Sequence, residues 1–287
     1  MEIMIRPPRT EETPALLNIW KTVFGSSDDV LFFNYYYDRN MCRVAARDDA
    51  PAAAVYIIPV GNLRSGSNAV PCAMIYAVAT LPEYRNQGYG SEVVRELITA
   101  GFDAGYPAVV LCPSGDDLFE YYSAHTGLFE WFYVNERKYS EPPAVSFRAE
   151  LTASDPEEYR SLRELLLAGV PHIEMDQRAI EYQDFLCRQS DCRLYRAETS
   201  GGPACAAVER ADNGMICVNE LLAAESGVPE VVSAIAAVYK APEYLVRTPA
   251  QPRGYNHRRF GMLAAQNPLP DAITAVTDPP WYGLAFD

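Results

Sequence analysis

Val78-Ala79-Thr80-Leu81-Pro82-Glu83-Tyr84-Arg85-Asn86-Gln87-Gly88-Tyr89-Gly90-Ser91 is the stretch from which the fold can be read. Upstream, the apolar run Ala73 to Thr80 reads as a strand buried on both faces, hence central in its sheet. Downstream, Val93, Val94, Leu97, Ile98 and Phe102 mark one face of a helix from Ser91 to Ala104, weakened by Gly101 and ended by Gly105. Between them lies a turn with two glycines. Backbone N–H groups without shielding side chains converge there at a helix N-terminus, where the helix dipole adds positive potential, an arrangement suited to pyrophosphate. Gly88 and Gly90 allow close approach, Arg85 adds a cation, and the Ser91 hydroxyl can donate a further bond.

Before this stretch, a strand (Glu2 to Arg6) leads to a helix that starts near Thr10 or Thr13, where cap residues, early acids and Pro14 coincide, and stops at Gly25. Ser26-Ser27-Asp28-Asp29 caps a second helix carrying Leu31, Phe32, Phe33 and Tyr35 to Tyr37, aromatics expected in the core. Cys42 to Ala46 and Ala52 to Val60 read as strands joined by a hairpin through Arg47 to Pro51. After the glycine turn and its helix come a short buried strand (Ala108 to Cys112), a helix (Asp116 to Ala124) and a strand (Phe129 to Tyr139). Glu141-Pro142-Pro143-Ala144 reads as a linker.

From Ser146 the order starts again. Strands are expected at Ser146 to Leu151, Cys192 to Glu198, Ala204 to Arg210, Met215 to Ala223 and Tyr244 to Arg247, with helices at Asp155 to Leu167, Asp176 to Cys187 and Val228 to Tyr239. This echo implies a duplicated α+β fold with domains at 1–141 and 146–287. Where the second copy should carry its glycine turn it has Glu220-Leu221-Leu222-Ala223-Ala224-Glu225-Ser226-Gly227, whose acids would repel phosphate. The second half is thus expected to keep the fold and lack the cofactor turn.

Composition narrows the function. With 49% hydrophobic and 22% charged residues in 287, the chain reads as globular. Its net charge of −14 disfavours nucleic acid, with 11 basic against 18 acidic residues up to 145 and 13 against 20 after it. An acidic surface raises the local concentration of a cationic substrate. No apolar run nears the length of a spanning helix, and the opening residues show no basic-then-apolar leader; no membrane association and a cytoplasmic location are expected. Seven scattered cysteines, never spaced Cys-x-x-Cys, suggest neither a disulfide framework nor a zinc site, so no metal is expected.

Arg85-Asn86-Gln87-Gly88-Tyr89-Gly90, preceded by Val78-Ala79-Thr80-Leu81-Pro82-Glu83-Tyr84, resembles the signature of the GCN5-related N-acetyltransferase (GNAT) superfamily. The resemblance implies acetyl-CoA as co-substrate, with Val78 and Thr80 offering backbone groups to its pantetheine arm. Arg85, Asn86, Gln87, Gly88, Tyr89, Gly90 and Ser91 would hold its pyrophosphate, and Ser114, in the segment after the fifth strand, belongs to the same expected site. The family commonly places a tyrosine by the thioester sulfur. Tyr122 is the preferred general acid here and Tyr121 the second choice, although the segment before Gly127 is one residue longer than the family pattern; His125 reads as a helix-end residue. Two GNAT-like halves resemble the tandem acetyltransferases of the enhanced-intracellular-survival type, without their sterol-carrier-like domain.

The resemblance implies transfer of an acetyl group to a primary amine of a small molecule or a peptide, and the charge leads to the expectation of a cationic acceptor. Ala73 to Thr80 holds no acid, so the family's strand glutamate is missing, and direct attack by a neutral, aligned amine requires no strong base. Asp287, through its side chain or terminal carboxylate, Glu130, and Asp28 or Asp29 are the candidates for that role. Leu284-Ala285-Phe286-Asp287 either brings carboxyl groups to the amine or seals the second half's core. A non-catalytic acyl-CoA-binding or regulatory module is the alternative.

Overall fold

Strand β1 (Ile3–Arg6) pairs antiparallel with β2 (Cys42–Arg47), and the segment between them folds as α1 (Thr13–Phe24) and α2 (Asp28–Tyr35). In this computed structural model residues 3–25, 28–250, 257–266, 269, 273 and 279–286 are described. The chain divides into two compact units: Met1–Pro59, Val70–Glu130 and Gly261–Leu269 form the first, and Val60–Ala69, Trp131–Phe260 and Pro270–Asp287 form the second. The expected linker at Glu141 to Ala144 therefore lies inside the second unit, and one cut at 141 to 146 does not separate the two. Among the described residues no helix is long and apolar enough to cross a membrane.

In the first unit α1 carries Pro14 in its first turn and ends at Gly25, whose φ of +66° closes the helix as the sequence predicts. The hairpin from β2 to β3 (Ala50–Ser65) turns on Asp48 and Asp49, both at positive φ, which matches the right-handed twist of the paired strands. Then follow β4 (Asn68–Thr80), α3 (Tyr89–Asp103), β5 (Ala108–Leu111) and α4 (Asp117–Thr126). The strand order is β1-β2-β3-β4-β5, so β4 is an interior strand flanked by β3 and β5.

Strand alternation sends Ala73, Ile75, Val109 and Leu111 to a face covered by Val93 and Leu97 of α3 and Phe119 of α4. The opposite face holds rings: Trp20 of α1 stacks on Phe32 of α2 at 4.9 Å, and Phe32 meets Tyr56 of β3 edge-on at 4.9 Å. The α2 aromatics are thus core, not a stacking platform.

The second unit takes most of β6 (Phe129–Tyr139), then β7 (Glu150–Ala153), α5 (Pro156–Leu166), β8 (His172–Met175) and α6 (Gln177–Gln189). It continues with β9 (Leu194–Thr199), β10 (Gly202–Arg210), β11 (Ile216–Leu222), α7 (Gly227–Val238), β12 (Tyr244–Pro249) and the start of β13 (His257–Ala265). Its strand order is β6-β12-β11-β10-β9-β7. Both α5 and α6 are capped by an aspartate, Asp155 accepting from the Glu158 amide at 2.9 Å and Asp176 from the Ala179 amide at 2.8 Å. Three strands, a helix and a strand parallel to the third (β9-β10-β11-α7-β12) follow the same element order as β2-β3-β4-α3-β5. The fold is a mixed α+β arrangement of sheets flanked by helices.

Two strands went unanticipated, β8 and β13, and β3 runs five residues beyond the expected Val60. Partner pairing explains the extension: Gly61 to Arg64 pair antiparallel with β8, and Asn62 and Arg64 both donate to the Glu174 carboxylate, at 3.1 and 2.7 Å. These polar residues lack a strand pattern of their own. The first strand of the second half begins at Glu150 rather than Ser146.

Candidate active site

Strands β4 and β5 run parallel from Cys72 opposite Ala108 to Ile75 opposite Leu111, and there the pairing ends. β4 continues five residues, to Thr80, while β5 stops. At the point of divergence Ala77 has a φ of +51°, a left-handed conformation that alanine rarely adopts and that marks an irregularity in the strand. The edge of Tyr76 to Thr80 that faced β5 is thereby released from the ladder. Val78 and Thr80, the residues assigned to a pantetheine arm, lie on this released segment.

Beyond Thr80 the chain makes a short 3-10 turn (Pro82–Tyr84), and the Arg85 Nε donates to the Thr80 carbonyl at 3.2 Å. Asn86 sits at φ +60°, which asparagine tolerates better than most residues. Gly88 follows at φ +82° as the N-cap of α3, and no side chain caps the first-turn amides. Those N–H groups have no partner within the helix by its geometry. A Cβ placed on Gly88 would meet nothing within 4 Å, and one on Gly90 would only touch Thr80 Oγ1 at 3.7 Å and Val78 at 3.9 Å. The turn is an open, amide-lined concavity. An anionic diphosphate fits it on those grounds.

Not every expected contact is a side-chain one. Tyr89 is buried in the core and its hydroxyl donates to Gln87 Oε1 at 3.2 Å, so only its backbone faces the turn. The Ser91 hydroxyl is buried and donates to the Gly88 carbonyl at 3.0 Å; it serves a phosphate only after rotating away from that bond. Arg85, Asn86 and Gln87 are exposed, and Ser114 is exposed on the segment between β5 and α4. A residue that the sequence did not suggest joins them: Arg47, at the end of β2, donates to Gln87 Oε1 at 3.3 Å and lies over the Tyr84 ring at 5.6 Å. Only sheet register brings it to the turn, so no local pattern could have disclosed it.

On α4 the helical phase separates the two tyrosines. Tyr122 shares the buried face with Phe119 and Thr126, and burial pushes its phenol well above the ordinary tyrosine range. Tyr121 is half-buried and packs on His125 at 4.8 Å. His125 Nδ1 is bonded to the Tyr121 carbonyl at 2.7 Å, the arrangement of a helix-end histidine. Glu130 lies near the start of β6, and Asp28 and Asp29 open α2, with their side chains outside the described residues. Asp287 also lies outside the described residues. Among the described residues no group of three or more His, Cys, Asp or Glu side chains is placed to hold a metal ion, and no cysteine is in a disulfide.

The second unit corrects one expectation. Glu220 belongs to β11, not to a turn, and is fully buried. Its carboxylate accepts from Tyr159 Oη at 2.9 Å, Arg163 Nε at 3.0 Å and Trp281 Nε1 at 2.7 Å. It repels nothing at a helix N-terminus; it neutralises a buried guanidinium. The last described residues pack in this unit: Trp281 is held by backbone bonds to Pro171 and Ile173, Tyr282 packs on Phe132 at 5.0 Å, and Phe286 meets Tyr182 edge-on at 5.0 Å. As far as Phe286, then, the tail seals the second unit's own interior.

The acetyltransferase (GNAT) domain family matches residues 4–124. Over those residues the chain is similar to GNAT acetyltransferase domains. In fold, 92% of the chain superposes on 73% of a GCN5-related N-acetyltransferase from Anabaena variabilis ATCC 29413, with a TM-score of 0.66 at 14% identity. It superposes equally on 74% of Eis1 from Mycobacterium abscessus (TM-score 0.61, 12% identity) and on 95% of a GCN5-related N-acetyltransferase from Sphaerobacter thermophilus (0.54, 14%). No curated protein matches the sequence.

Proposed function

We propose that the protein is an acetyl-CoA-dependent N-acetyltransferase of tandem-domain type, in which a primary amine attacks the thioester directly. The single observation that carries this is the released edge of β4 leading straight into the uncapped, amide-lined start of α3. Bound there, acetyl-CoA would supply the activated acyl group. The amides of Gly88 to Ser91 and the Arg85 guanidinium bind its diphosphate, Arg47 steadies Gln87 beneath the turn, and the backbone of Val78 and Thr80 aligns the arm. With no acid on β4, the chain leaves the amine's deprotonation to the solvent or to a carboxylate outside the strand. Alignment at near-attack distance contributes most of the acceleration. The proton that the departing thiolate takes up comes from α4, with Tyr122 the assigned donor.

The protein's net charge of −14 suits a cationic acceptor, and the cytoplasm suits the cofactor pool and cysteines outside any disulfide. Incubation with acetyl-CoA and a panel of polyamines, aminoglycosides, amino acids and lysine peptides, read by thiol release, tests the assignment. Turnover of at least one amine is expected. If acetyl-CoA binds and no amine turns over, the protein is an acyl-CoA-binding module instead.

A further inference from the structure

The second unit opens its sheet in the same place as the first. β11 and β12 are paired from Ile216 opposite Tyr244 to Val218 opposite Val246, after which β11 runs on to Leu222 and β12 to Pro249 without pairing each other. A cavity of about 630 Å3 occupies this divergence, within the size range of small-molecule sites. Its floor comes from two strands in register, β6 and β12: Asn135 faces Thr248 and Arg137 faces Val246. Its walls are apolar, with Leu166 and Leu167 at the end of α5 and Leu222 and Val228 at the start of α7.

The chemistry differs from that of the glycine turn. Pro229, in the first turn of α7, has no N–H to offer. Glu230, one residue on, already occupies the positive end of the helix and is bonded to the Ser200 amide at 2.8 Å. Glu225 stands on the cavity rim, where it would oppose a polyanion. Yet the floor carries a cation. Arg137 lies over the Tyr139 ring at 4.8 Å and, among the described residues, forms no ion pair, whereas its neighbour Glu136 is bound by Arg247 and Arg258. Beside it the Asn135 amide donates to Thr248 Oγ1 at 3.3 Å, leaving a carbonyl oxygen and a hydroxyl proton for a further partner.

We propose that this cavity binds a small monocarboxylate with an apolar body, the carboxylate on Arg137 and the Thr248 hydroxyl and the apolar part between α5 and α7. One negative charge satisfies Arg137; a diphosphate would also meet Glu225 on the rim and lack the amide that Pro229 cannot offer. The site lies wholly within the second unit and does not depend on the acyl-transfer reading.

Isothermal titration of the whole protein with octanoate, and with octan-1-ol as its uncharged counterpart, tests it. Octanoate is expected to bind at least about tenfold more tightly than the alcohol, because a charge-assisted hydrogen bond is lost in the latter. Arg137→Gln should weaken octanoate by a similar factor while leaving the alcohol unchanged, and Val228→Trp, which fills the cavity, should abolish both. Should the tryptophan variant not fold, Thr248→Val replaces it, with weaker octanoate binding expected. No binding of octanoate at millimolar concentration, equal affinity for the alcohol, or an Arg137→Gln protein that binds octanoate as the wild type does would each overturn the proposal.

Discussion

Replacing Gly88 by alanine should separate folding from cofactor binding. The added Cβ meets no protein atom within 4 Å, so the fold suffers only the backbone cost of a left-handed alanine at φ +82°, about 1–2 kcal/mol. Set against a typical stability of about 5–15 kcal/mol, that leaves the protein folded at room temperature. The same methyl group projects from the N-cap into the concavity over the first-turn amides. Pushing a diphosphate off one such charge-assisted bond costs about 1.5–3 kcal/mol, or roughly a tenfold to hundredfold loss of affinity. In urea unfolding with acetyl-CoA at a hundred times the wild-type Kd, the ligand should stabilise the wild type by about 2.7 kcal/mol. A variant binding a hundredfold more weakly should gain only about 0.4 kcal/mol at the same concentration. A folded Gly88→Ala protein that still gains the full amount would place the diphosphate elsewhere and refute the assignment.

Tyr122→Phe should lower kcat about a hundredfold with acetyl-CoA affinity unchanged, and Tyr121→Phe much less; a reversed order in steady-state kinetics would move the proton donor to the half-buried face of α4. Glu220→Ala should cost about 3–5 kcal/mol in urea unfolding, because it leaves the Arg163 guanidinium buried without its carboxylate and strips Trp281 of its acceptor; a loss under about 1 kcal/mol would mean that water replaces the pair. Glu12 is held below the ordinary glutamate range by the Arg6 side-chain bond at 2.6 Å, so its contribution is present above that range and is lost as the pH falls through the depressed value. Glu12→Gln should therefore destabilise at pH 7 and converge with the wild type in strong acid; parallel stability curves across that range would show that the pair contributes nothing.

Much of the first unit was legible because its signals are local. The Gly25 stop of α1, the Asp48-Asp49 turn, the two-faced burial of β4 and the glycine turn each follow from a few adjacent residues. What escaped notice depends on residues brought together from afar. β8 alternates polar and apolar residues over only four positions, too short a run to announce a strand, and it forms where Gly61 to Arg64 lie beside it. The Ala77 irregularity that frees the edge of β4 carries no signature, since alanine is not a residue that signals positive φ. Arg47 reaches the turn through the sheet. Glu220, read as part of a turn, was misjudged because its partners Arg163 and Trp281 stand 57 and 61 residues away in sequence.

The two units show which part of such a site belongs to the fold and which to the side chains. In both, a parallel pair reached through a crossover helix comes apart after three or four paired positions, so the opening between strands is a property of the topology. What enters the opening is decided by a few residues at the helix start. Gly88, Tyr89 and Gly90 leave amides and space, and the structure adds Arg85 and Arg47 around them; the opening accepts a polyanion. Pro229 removes an amide and Glu230 takes up the helix dipole, so the second opening is less favourable to a polyanion than the first. Its remaining cation, Arg137, lies on the sheet floor instead of at the helix. The proposed difference between the two openings thus rests on a few residues beside each divergence and requires no strand to move.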